Sequence, residues 1–523
     1  MELKQHLIHR NDYKAEAKKQ ITIGEDYSVP DGKPDMAKIL QKKAMIQIGE
    51  VYTEKGKLKI RGILKLQVLY LAERSMEVLS NIEMEFPFDE ILYIEGAVSG
   101  DHLKIDGKID DLRLGIVHPG KLSVRALVTL QALIVGTDGH SVTEYVEGNG
   151  HLYTKTESFQ MAEPVIERKE SYRVRDEVLL PVNKPNVEKI LWKDLQLRGL
   201  ELRMQENQLG VKGEVLLFVV YRGEDEVNPI QWFEQTIPFH GNLEVAGMTS
   251  EMFGMLDTEI SRQEIELKPD YDGELRSFQL ELLLDIHMHV YEEQTCHILR
   301  DAYSTKEALK LSHQEIGYEK LRMCNQAKCR INGQEKVEGD GRILQILGHQ
   351  AQLVGKSAKV TDQGILKEGM LEIQVLYVTA NDKMPFGCVN AVIPYSQLIE
   401  IPEMKKEDHW KVNESLEQIY ISMPDGNQIE VRGVISMNAC VLEQCKVQNV
   451  TDIAAEPYNL EEYKKRPGMV IHFVQPKETL WEIAKNNFST VEDIQRLNEL
   501  TVEEVMPGEK LLLLKPSAET IFS

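Results

Sequence analysis

The sequence has little of what secreted, disulfide-stapled proteins need. Its six cysteines all fall between Cys296 and Cys445, and the first half of the chain has none. A disulfide framework that staples the whole chain is therefore excluded. We expect reduced, mostly buried thiols. The spacings Cys324/Cys329 and Cys440/Cys445 fit metal ligation only loosely and leave a zinc site as the lesser alternative.

Positive charge and long apolar runs are also scarce. The 61 Lys and Arg residues face 84 Asp and Glu residues, which gives a net charge of −23. This balance disfavours nucleic acid and anionic membrane surfaces, because binding to either needs clustered Lys and Arg. The longest apolar runs, such as 68–72, are too short to span a bilayer, and residues 1–19 lack the apolar stretch of a signal peptide. We expect no membrane insertion and a protein that stays where it is made.

Recognisable catalytic and cofactor motifs are missing as well. The segment 355–357, Gly-Lys-Ser, resembles part of a phosphate-binding loop, but Gln350 stands where that motif needs glycine. Asp285, His287 and His289 share one face of a predicted strand and could ligate a metal. The opposite face is apolar, so a half-buried strand is the simpler interpretation. We predict no enzyme activity, no cofactor and no metal.

Internal repetition is the main positive feature of the first 460 residues. The segment 29–40, which contains a Lys-Pro element, recurs at 180–191, an offset of 151 residues. A pattern that runs from glycine to tyrosine occurs three times, at offsets of 151 and 307 residues: 62–70, 213–221 and 369–377. Fixed offsets of this size indicate tandem domains of about 150 residues, not solenoid turns.

Within each copy the apolar residues partly alternate, which is typical of strands. We predict a mainly β protein with three tandem sandwich-like domains, at 1–165, 166–308 and 309–460, of which the third is degenerate. A linker at 461–468 and a small module at 469–516 follow them. We also predict one short helix per domain, at 34–43 and its second-copy equivalent. There a proline stands near the start, and Met36, Ile39 and Leu40 have helical spacing.

The last fifty or so residues predict a strand, two helices and a second strand. Thr479 and Glu482 form a capping box, so the first helix begins at Leu480. Thr490 caps the second helix in the same way. A Pro-Gly turn then leads into the apolar run 511–514, which predicts a strand.

Three such copies followed by this module resemble the SPOCS-plus-LysM proteins of endospore-forming Clostridia and their relatives. The Lys-Pro element and the glycine-to-tyrosine pattern carry the SPOCS resemblance, and the last fifty residues carry the LysM resemblance. The resemblance implies a mother-cell cytosolic scaffold for the spore coat and envelope, assembled at the forespore surface. It also implies a partner bound through the LysM module, the coat morphogenetic ATPase of stage IV sporulation. It leaves other coat proteins open as further partners.

The module departs from sugar-binding LysM modules at its first loop. Lys-Glu-Thr at 477–479 stands where those modules usually carry Gly-Asp-Thr, and His472 stands where tyrosine is more frequent. Glycine lets a sugar lie against the backbone, and a lysine side chain obstructs that approach. We therefore expect the groove between two loops to bind a protein instead of a glycan. The predicted contact residues are Pro476, Lys477, Glu478, Thr479, Trp481, Leu500, Thr501, Val502 and Met506.

Several alternatives stay open at this stage. Trp481 can serve as a binding platform or as half-buried packing in an amphipathic helix. Lys477 and Glu478 can contact the partner or be merely solvated. For the whole protein, the main alternative is a peptidoglycan- or N-acetylglucosamine-binding wall protein. A wall hydrolase would require a catalytic constellation in 1–460, and the sequence does not show one.

Overall fold

The structure is a computed structural model that describes residues 2–73, 75, 77–98, 102–148, 151–225, 229–337, 342–381 and 384–515. Strands dominate it, which confirms the predicted mainly β class. Among the described residues, no helix has the length and apolar character needed to cross a membrane.

The first domain consists of two sheets of antiparallel strands. Its strands are β1 Glu2–Ile23, β2 Asp26–Ser28, β3 Met36–Glu54, β4 Lys57–Ala72, β5 Leu79–Tyr93, β6 His102–His118 and β7 Lys121–Glu147. One sheet has the order β3-β4-β5. In the other sheet β7 pairs with β1, β2 and β6.

The second and third domains repeat this plan with two three-stranded sheets each. The second contains β8 Leu152–Leu179, β9 Val187–Gln205, β10 Gln208–Gly223, β11 Ile230–Glu244, β12 Phe253–Pro269 and β13 Leu275–Ser304, in the orders β11-β10-β9 and β12-β13-β8. The third contains β14 Glu307–Lys336, β15 Ile343–Thr361, β16 Gly364–Thr379, β17 Phe386–Glu400, β18 His409–Ser422 and β19 Gln428–Pro457, in the orders β15-β16-β17 and β14-β19-β18. The predicted domain boundaries stay predictions; β8 runs across 165/166.

Each domain buries its own apolar core between its two sheets. In β7, every second residue from Leu122 to Ile134 is fully or almost fully buried. Strand β4 contributes the facing layer, in which Leu58, Ile60 and Leu64 are buried. Alternation of this kind places one face of each strand on the core, which is the packing of a β-sandwich.

The predicted helix at 34–43 is wrong, because this region lies in β3, paired with β4. Within the predicted helix the register of that pairing shifts twice, between Met36 and Lys38 and between Ile39 and Gln41. Each irregularity displaces the alternation by one residue. Apolar positions therefore fall at intervals that imitate a helix. The second-copy equivalent is likewise part of a strand, β9, which has similar shifts.

The repeated sequence elements contact one another across strands. The glycine that opens each glycine-to-tyrosine pattern lies opposite an aromatic residue of the next strand, in the pairs Gly62–Phe88, Gly213–Phe239 and Gly369–Tyr395. A Cβ atom on any of these glycines would collide with that aromatic ring. The aromatic residue recurs at the same offsets of 151 and 307 residues, so the glycine and the ring are complementary halves of one packing contact.

The tyrosine that ends the glycine-to-tyrosine pattern is hydrogen-bonded to the Lys-Pro element. The Tyr70 hydroxyl donates a hydrogen bond to the carbonyl oxygen of Pro34 at 2.8 Å, and Tyr221 does the same to Pro185 at 3.1 Å. Both rings are fully buried. The third copy of the Lys-Pro element, near 338–341, lies outside the described residues.

Corresponding positions of the three domains meet in one apolar cluster. Leu40, Leu191 and Leu347, related by offsets of 151 and 307, are buried in one apolar cluster. Polar contacts continue along the junction. Asp257 of the second domain accepts hydrogen bonds from both Lys104 and Lys411, which lie in the first and third domains. The three domains thus pack as one body.

Long two-stranded ribbons extend from each domain and pack side by side. The ribbons are the outer parts of the pairs β1–β7, β8–β13 and β14–β19, whose pairing reaches Glu2/Glu147, Leu152/Ser304 and Glu307/Pro457. Ile8, Ile298 and Ile316, one from each ribbon, are buried in a shared cluster. We call these three packed ribbons the stem.

The carboxy-terminal module has the predicted strand, two helices and strand. After a short helix α1 Leu460–Lys465, in the predicted linker, its elements are β20 Met469–Phe473, α2 Leu480–Asn486, α3 Val491–Leu497 and β21 Lys510–Leu514. Strands β20 and β21 pair antiparallel. Both helices pack on one side of this sheet, through Leu480, Ile483 and Ile494.

Candidate functional site on the carboxy-terminal module

The loop between β20 and α2 is a tight turn in which Lys477 has a strained backbone conformation. The Glu478 amide donates to the carbonyl oxygen of Gln475 at 3.1 Å, and Pro476 occupies the second turn position. Lys477, at the third position, has a φ of +70°. Type II turns favour glycine at this position, since only glycine adopts a positive φ without steric cost. The lysine therefore keeps the backbone of the usual glycine turn and adds an exposed side chain above it.

Glu478 closes this loop through internal hydrogen bonds. Its carboxylate accepts hydrogen bonds from the Gln475 amide at 2.8 Å and from Nε2 of His472 at 2.8 Å. Partial burial acts to raise the pKa of Glu478, but these hydrogen bonds leave it below its ordinary value. Glu478 is therefore not merely solvated, and its contact with a partner stays a prediction.

Helix α2 begins at Leu480, as predicted, with a complete capping box. The Glu482 amide donates to the Thr479 hydroxyl at 3.3 Å, and the Thr479 amide donates to the Glu482 carboxylate at 3.0 Å. Thr490 caps α3 by accepting from the Asp493 amide at 2.9 Å. Both predicted caps are confirmed. Thr479 is thus occupied in holding the helix.

The second loop carries the most accessible apolar side chains of the predicted groove. Val502 is 60% exposed and Met506 is 77% exposed, and Thr501 is exposed as well. Leu500 instead packs against the core of the module. The predicted contact set therefore divides. Pro476, Lys477, Thr501, Val502 and Met506 face solvent, whereas Glu478, Thr479, Trp481 and Leu500 make internal contacts.

Trp481 attaches the module to the stem. Its indole Nε1 donates to the Asp301 carboxylate at 2.8 Å, and its ring meets Tyr303 edge-on at a centroid distance of 4.8 Å. Lys485, one turn further along α2, donates to the same carboxylate at 2.7 and 2.9 Å. Tyr303 is buried in the apolar cluster of the module. Trp481 is therefore half-buried packing at a domain contact. No local sequence pattern indicates a role for Asp301 or Tyr303 in this contact.

The segment around α1 also contacts the stem and the module. The Tyr458 hydroxyl donates to the carbonyl oxygen of Ser304 at 2.8 Å. Its ring meets Phe488 edge-on at 4.6 Å, and the Arg466 guanidinium lies 4.7 Å from the same Phe488 ring. These contacts hold the module at the end of the stem on both sides of α1.

A polar cleft lies where the module meets the stem. It has a volume of about 410 Å³ and is lined by the second and third domains and by α2: Lys155, Arg300, Asp301, His313, Gln448, Thr479, Trp481 and Glu482. The side of α2 next to the predicted groove therefore faces residues from two other domains. A ligand of this face would contact the stem as well as the module.

The sheet of the module leaves one apolar face uncovered. Met469, Ile471 and Phe473 of β20 and Leu514 of β21 are all exposed. In the antiparallel register Met469 faces Leu514, so these side chains form one surface. Clustered exposed apolar side chains of this kind are typical of protein interaction surfaces.

Asp285, His287 and His289 lie at the junction of the domains. Their strand is half-buried as predicted, with Leu284 and Ile286 fully covered on the opposite face. Asp285 pairs with Lys169 at 2.7 Å. Burial, together with Lys169 and Lys104, lowers the pKa of His287 to about 4. Among the described residues, no group of three or more His, Cys, Asp or Glu side chains is placed to hold a metal ion.

Comparison with known proteins agrees with this architecture. The family model described as SipL, SPOCS domain matches residues 35–117, 186–268 and 342–424. The LysM domain model matches residues 472–513. No curated protein and no solved structure matches the chain. The chain therefore has the architecture of three SipL SPOCS domains followed by one LysM domain.

Proposed function

We propose that this protein is a non-enzymatic scaffold of endospore coat and envelope assembly whose LysM domain binds a protein, the coat morphogenetic ATPase of sporulation. The matched domains belong to non-catalytic families associated with sporulation. The proposal places the protein in the mother-cell cytosol, at the forespore surface. Other coat proteins are further partners in this proposal, engaged by the SPOCS domains.

The observation that carries the proposal is the character of the accessible LysM surface. The first loop presents a lysine at the glycine position of a type II turn, where a flat sugar ring needs the bare backbone. The second loop presents Val502 and Met506, both largely exposed. Exposed apolar side chains, methionine in particular, are typical of protein interfaces, in which Met and aromatic side chains are enriched.

The attachment of the module to the stem supports a scaffold role. Trp481 and Lys485 both hydrogen-bond to Asp301, so the module is oriented relative to the three SPOCS domains. An orientation fixed before binding reduces the conformational entropy that association costs. Several binding surfaces on one rigid body also raise apparent affinity through effective concentration.

Co-purification from sporulating cells tests the proposal. The full chain should retain the ATPase, and a chain that lacks residues 469–523 should lose it. Circular dichroism would check that the three SPOCS domains stay folded in the truncated chain, since each has its own core. Undiminished retention of the ATPase by the truncated chain would contradict the assigned role of the LysM domain.

The second candidate function, binding of peptidoglycan or N-acetylglucosamine polymers, is favoured by the LysM match itself. Titration of the full chain with N-acetylglucosamine oligomers separates the two candidates. The scaffold proposal predicts no saturable heat of binding. Saturable binding that Lys477→Gly strengthens would instead favour the glycan, because that substitution restores the bare turn.

A further inference from the structure

Two of the six cysteines lie directly opposite each other on neighbouring strands. Cys324 in β14 and Cys440 in β19 are cross-strand partners in the antiparallel register. Directly opposed residues of antiparallel strands have Cα atoms about 4.5 or 5.5 Å apart. Disulfides span Cα distances of about 4.4–6.8 Å. The backbone therefore already holds these two side chains at a separation that a disulfide accepts.

The two thiols differ in their access to solvent. Cys440 is buried at the contact between the second and third domains, in a cluster with Met255 and Tyr291. Cys324 is exposed. Both line a cleft of about 620 Å³ between these domains, which is large enough to admit a small solute. Because Cys324 is the exposed one, a reagent in the cleft reaches it first, and Cys440 lies directly opposite on the neighbouring strand.

Cys324 also differs chemically from the other cysteines. Its interaction with the Cys440 side chain lowers the pKa of its thiol, although burial opposes the effect. Burial raises the pKa of Cys296 to about 11 and that of Cys388 to about 12, and it also raises the pKa of Cys329 and of Cys445. Because the thiolate is the nucleophile in disulfide exchange, Cys324 is the cysteine best suited to attack.

We propose that Cys324 and Cys440 form a thiol–disulfide exchange site that takes low-molecular-weight disulfides as its oxidant. The Cys324 thiolate attacks one sulfur of the oxidant, forms a mixed disulfide and releases the first thiol. Cys440, after losing its proton, attacks the Cys324 sulfur and releases the second thiol. The two cysteines lose two electrons and two protons, and the oxidant gains them as two small thiols.

The resulting disulfide would cross-link two strands of the third domain. It would join β14 to β19, and strands β15 to β18 lie between them in sequence. A cross-link that closes so long a loop restricts the unfolded chain, which raises the stability of the enclosed domain. The site also lies beside Lys411, which is paired with Cys440 in register and contacts Asp257 of the second domain. Oxidation would therefore fix strands at the junction of the second and third domains.

The test uses the full chain and oxidised glutathione as the probe. Native protein is incubated with the probe, alkylated, digested and mapped by mass spectrometry. The expected result is a peptide pair linked through Cys324 and Cys440, with the number of free thiols reduced by two from the six of the sequence. The thermal midpoint of the oxidised protein should rise. Absence of this link in native protein, or its formation only after denaturation, would overturn the proposal.

Serine variants distinguish the two roles. Cys440→Ser should accumulate a stable glutathione adduct on Cys324, because the resolving thiol is gone. Cys324→Ser should leave Cys440 unmodified, because that thiol is shielded. Cys388→Ser is the matched control and should keep the 324–440 link. Equal adduct formation on Cys440 and Cys324 in these variants would contradict the assigned order of attack. The peptide map of the unmodified sequence does not depend on any variant folding.

Discussion

The indole Nε1 of Trp481 donates a 2.8 Å hydrogen bond to the carboxylate of Asp301, 180 residues earlier in the chain. One residue belongs to the LysM domain and the other to the stem of the SPOCS domains. The same carboxylate accepts from Lys485. The tryptophan that a LysM sequence offers as a binding platform thus serves here to orient the whole module.

Replacing Asp301 should therefore loosen the module without unfolding the SPOCS domains. Asp301→Ala leaves the Trp481 N–H and the Lys485 ammonium without this acceptor, which costs about 1–3 kcal/mol of docking free energy. Hydrogen exchange of the α2 amides should accelerate accordingly. Asp176→Ala, at an exposed strand position of the second domain, is the matched control and should leave α2 unchanged. Unaltered exchange in Asp301→Ala would show that the contact does not hold the module.

Lys477→Gly should stabilise the LysM domain. The φ of Lys477 is +70°. For a residue with a Cβ atom, this left-handed conformation destabilises the folded state by about 1–2 kcal/mol. Part of the gain is offset by the greater freedom of glycine in the unfolded chain, so we expect a net increase of about 1 kcal/mol. Hydrogen exchange of the slowest module amides measures it. Lys406→Gly, in an exposed turn, is the control and should not stabilise the protein. A loss of stability in Lys477→Gly would contradict the strained-turn assignment.

The tyrosine clamps on the Lys-Pro elements should each contribute to stability. Tyr221→Phe removes the donor to the Pro185 carbonyl, and Tyr70→Phe removes the donor to the Pro34 carbonyl. Each should lower the free energy of unfolding by about 1 kcal/mol, the usual net value of one hydrogen bond. Denaturant unfolding measures the effect. Tyr271→Phe, at a side chain 92% exposed, should change nothing. Equal stabilities for all three variants would show that these two tyrosine hydrogen bonds do not stabilise the protein.

Acid should weaken the contact between the second and third domains. Arg198 donates to Nε2 of His349 at 2.8 Å, which requires a neutral imidazole, and burial together with Arg198 lowers the pKa of His349 to about 3. Between about pH 3 and 6.5 the unfolded chain binds more protons at this site, so stability falls as pH falls. From pH 7 to pH 5 the loss is about 2 kcal/mol.

The variant His349→Gln tests this source of acid sensitivity. A glutamine carbonyl can accept from Arg198 and does not titrate, so the urea midpoint should drop less between pH 7 and pH 5 than in the unaltered protein. His240→Gln, at an exposed position, is the control and should keep the full drop. An identical pH dependence in all three proteins would assign the acid sensitivity to other groups.

Features carried by local sequence were predicted well. The two helix caps at Thr479 and Thr490 follow from short-range residue patterns, and the structure contains both. The repeats followed from fixed offsets, although their packing against one another did not. The helix expected at 34–43 failed because register shifts in β3 imitate helical spacing. Sequence alone cannot distinguish a helix from a strand with such shifts, since the pairing partner decides the register.

Contacts between distant segments could not be predicted. Asp301 lies in a strand whose local pattern says nothing about Trp481. The opposition of Cys324 and Cys440 likewise depends on the pairing register of β14 and β19, which no short motif encodes. The predicted groove stays a prediction. The hydrogen bond that Glu478 accepts from His472 was not predicted, because it joins a strand to a turn. Each of these relationships exists only after the chain has folded.

The most direct test of the scaffold account is the affinity of the full chain for the coat morphogenetic ATPase when the second LysM loop carries charge. Val502→Asp combined with Met506→Asp alters two exposed side chains that the fold does not need. We predict at least a tenfold loss of affinity, about 1.4 kcal/mol, by calorimetry. Val182→Asp, at a side chain 98% exposed on the second SPOCS domain, should bind as the unaltered chain does. Undiminished binding by the double variant, with saturable binding of N-acetylglucosamine oligomers by the unaltered chain, would contradict the account.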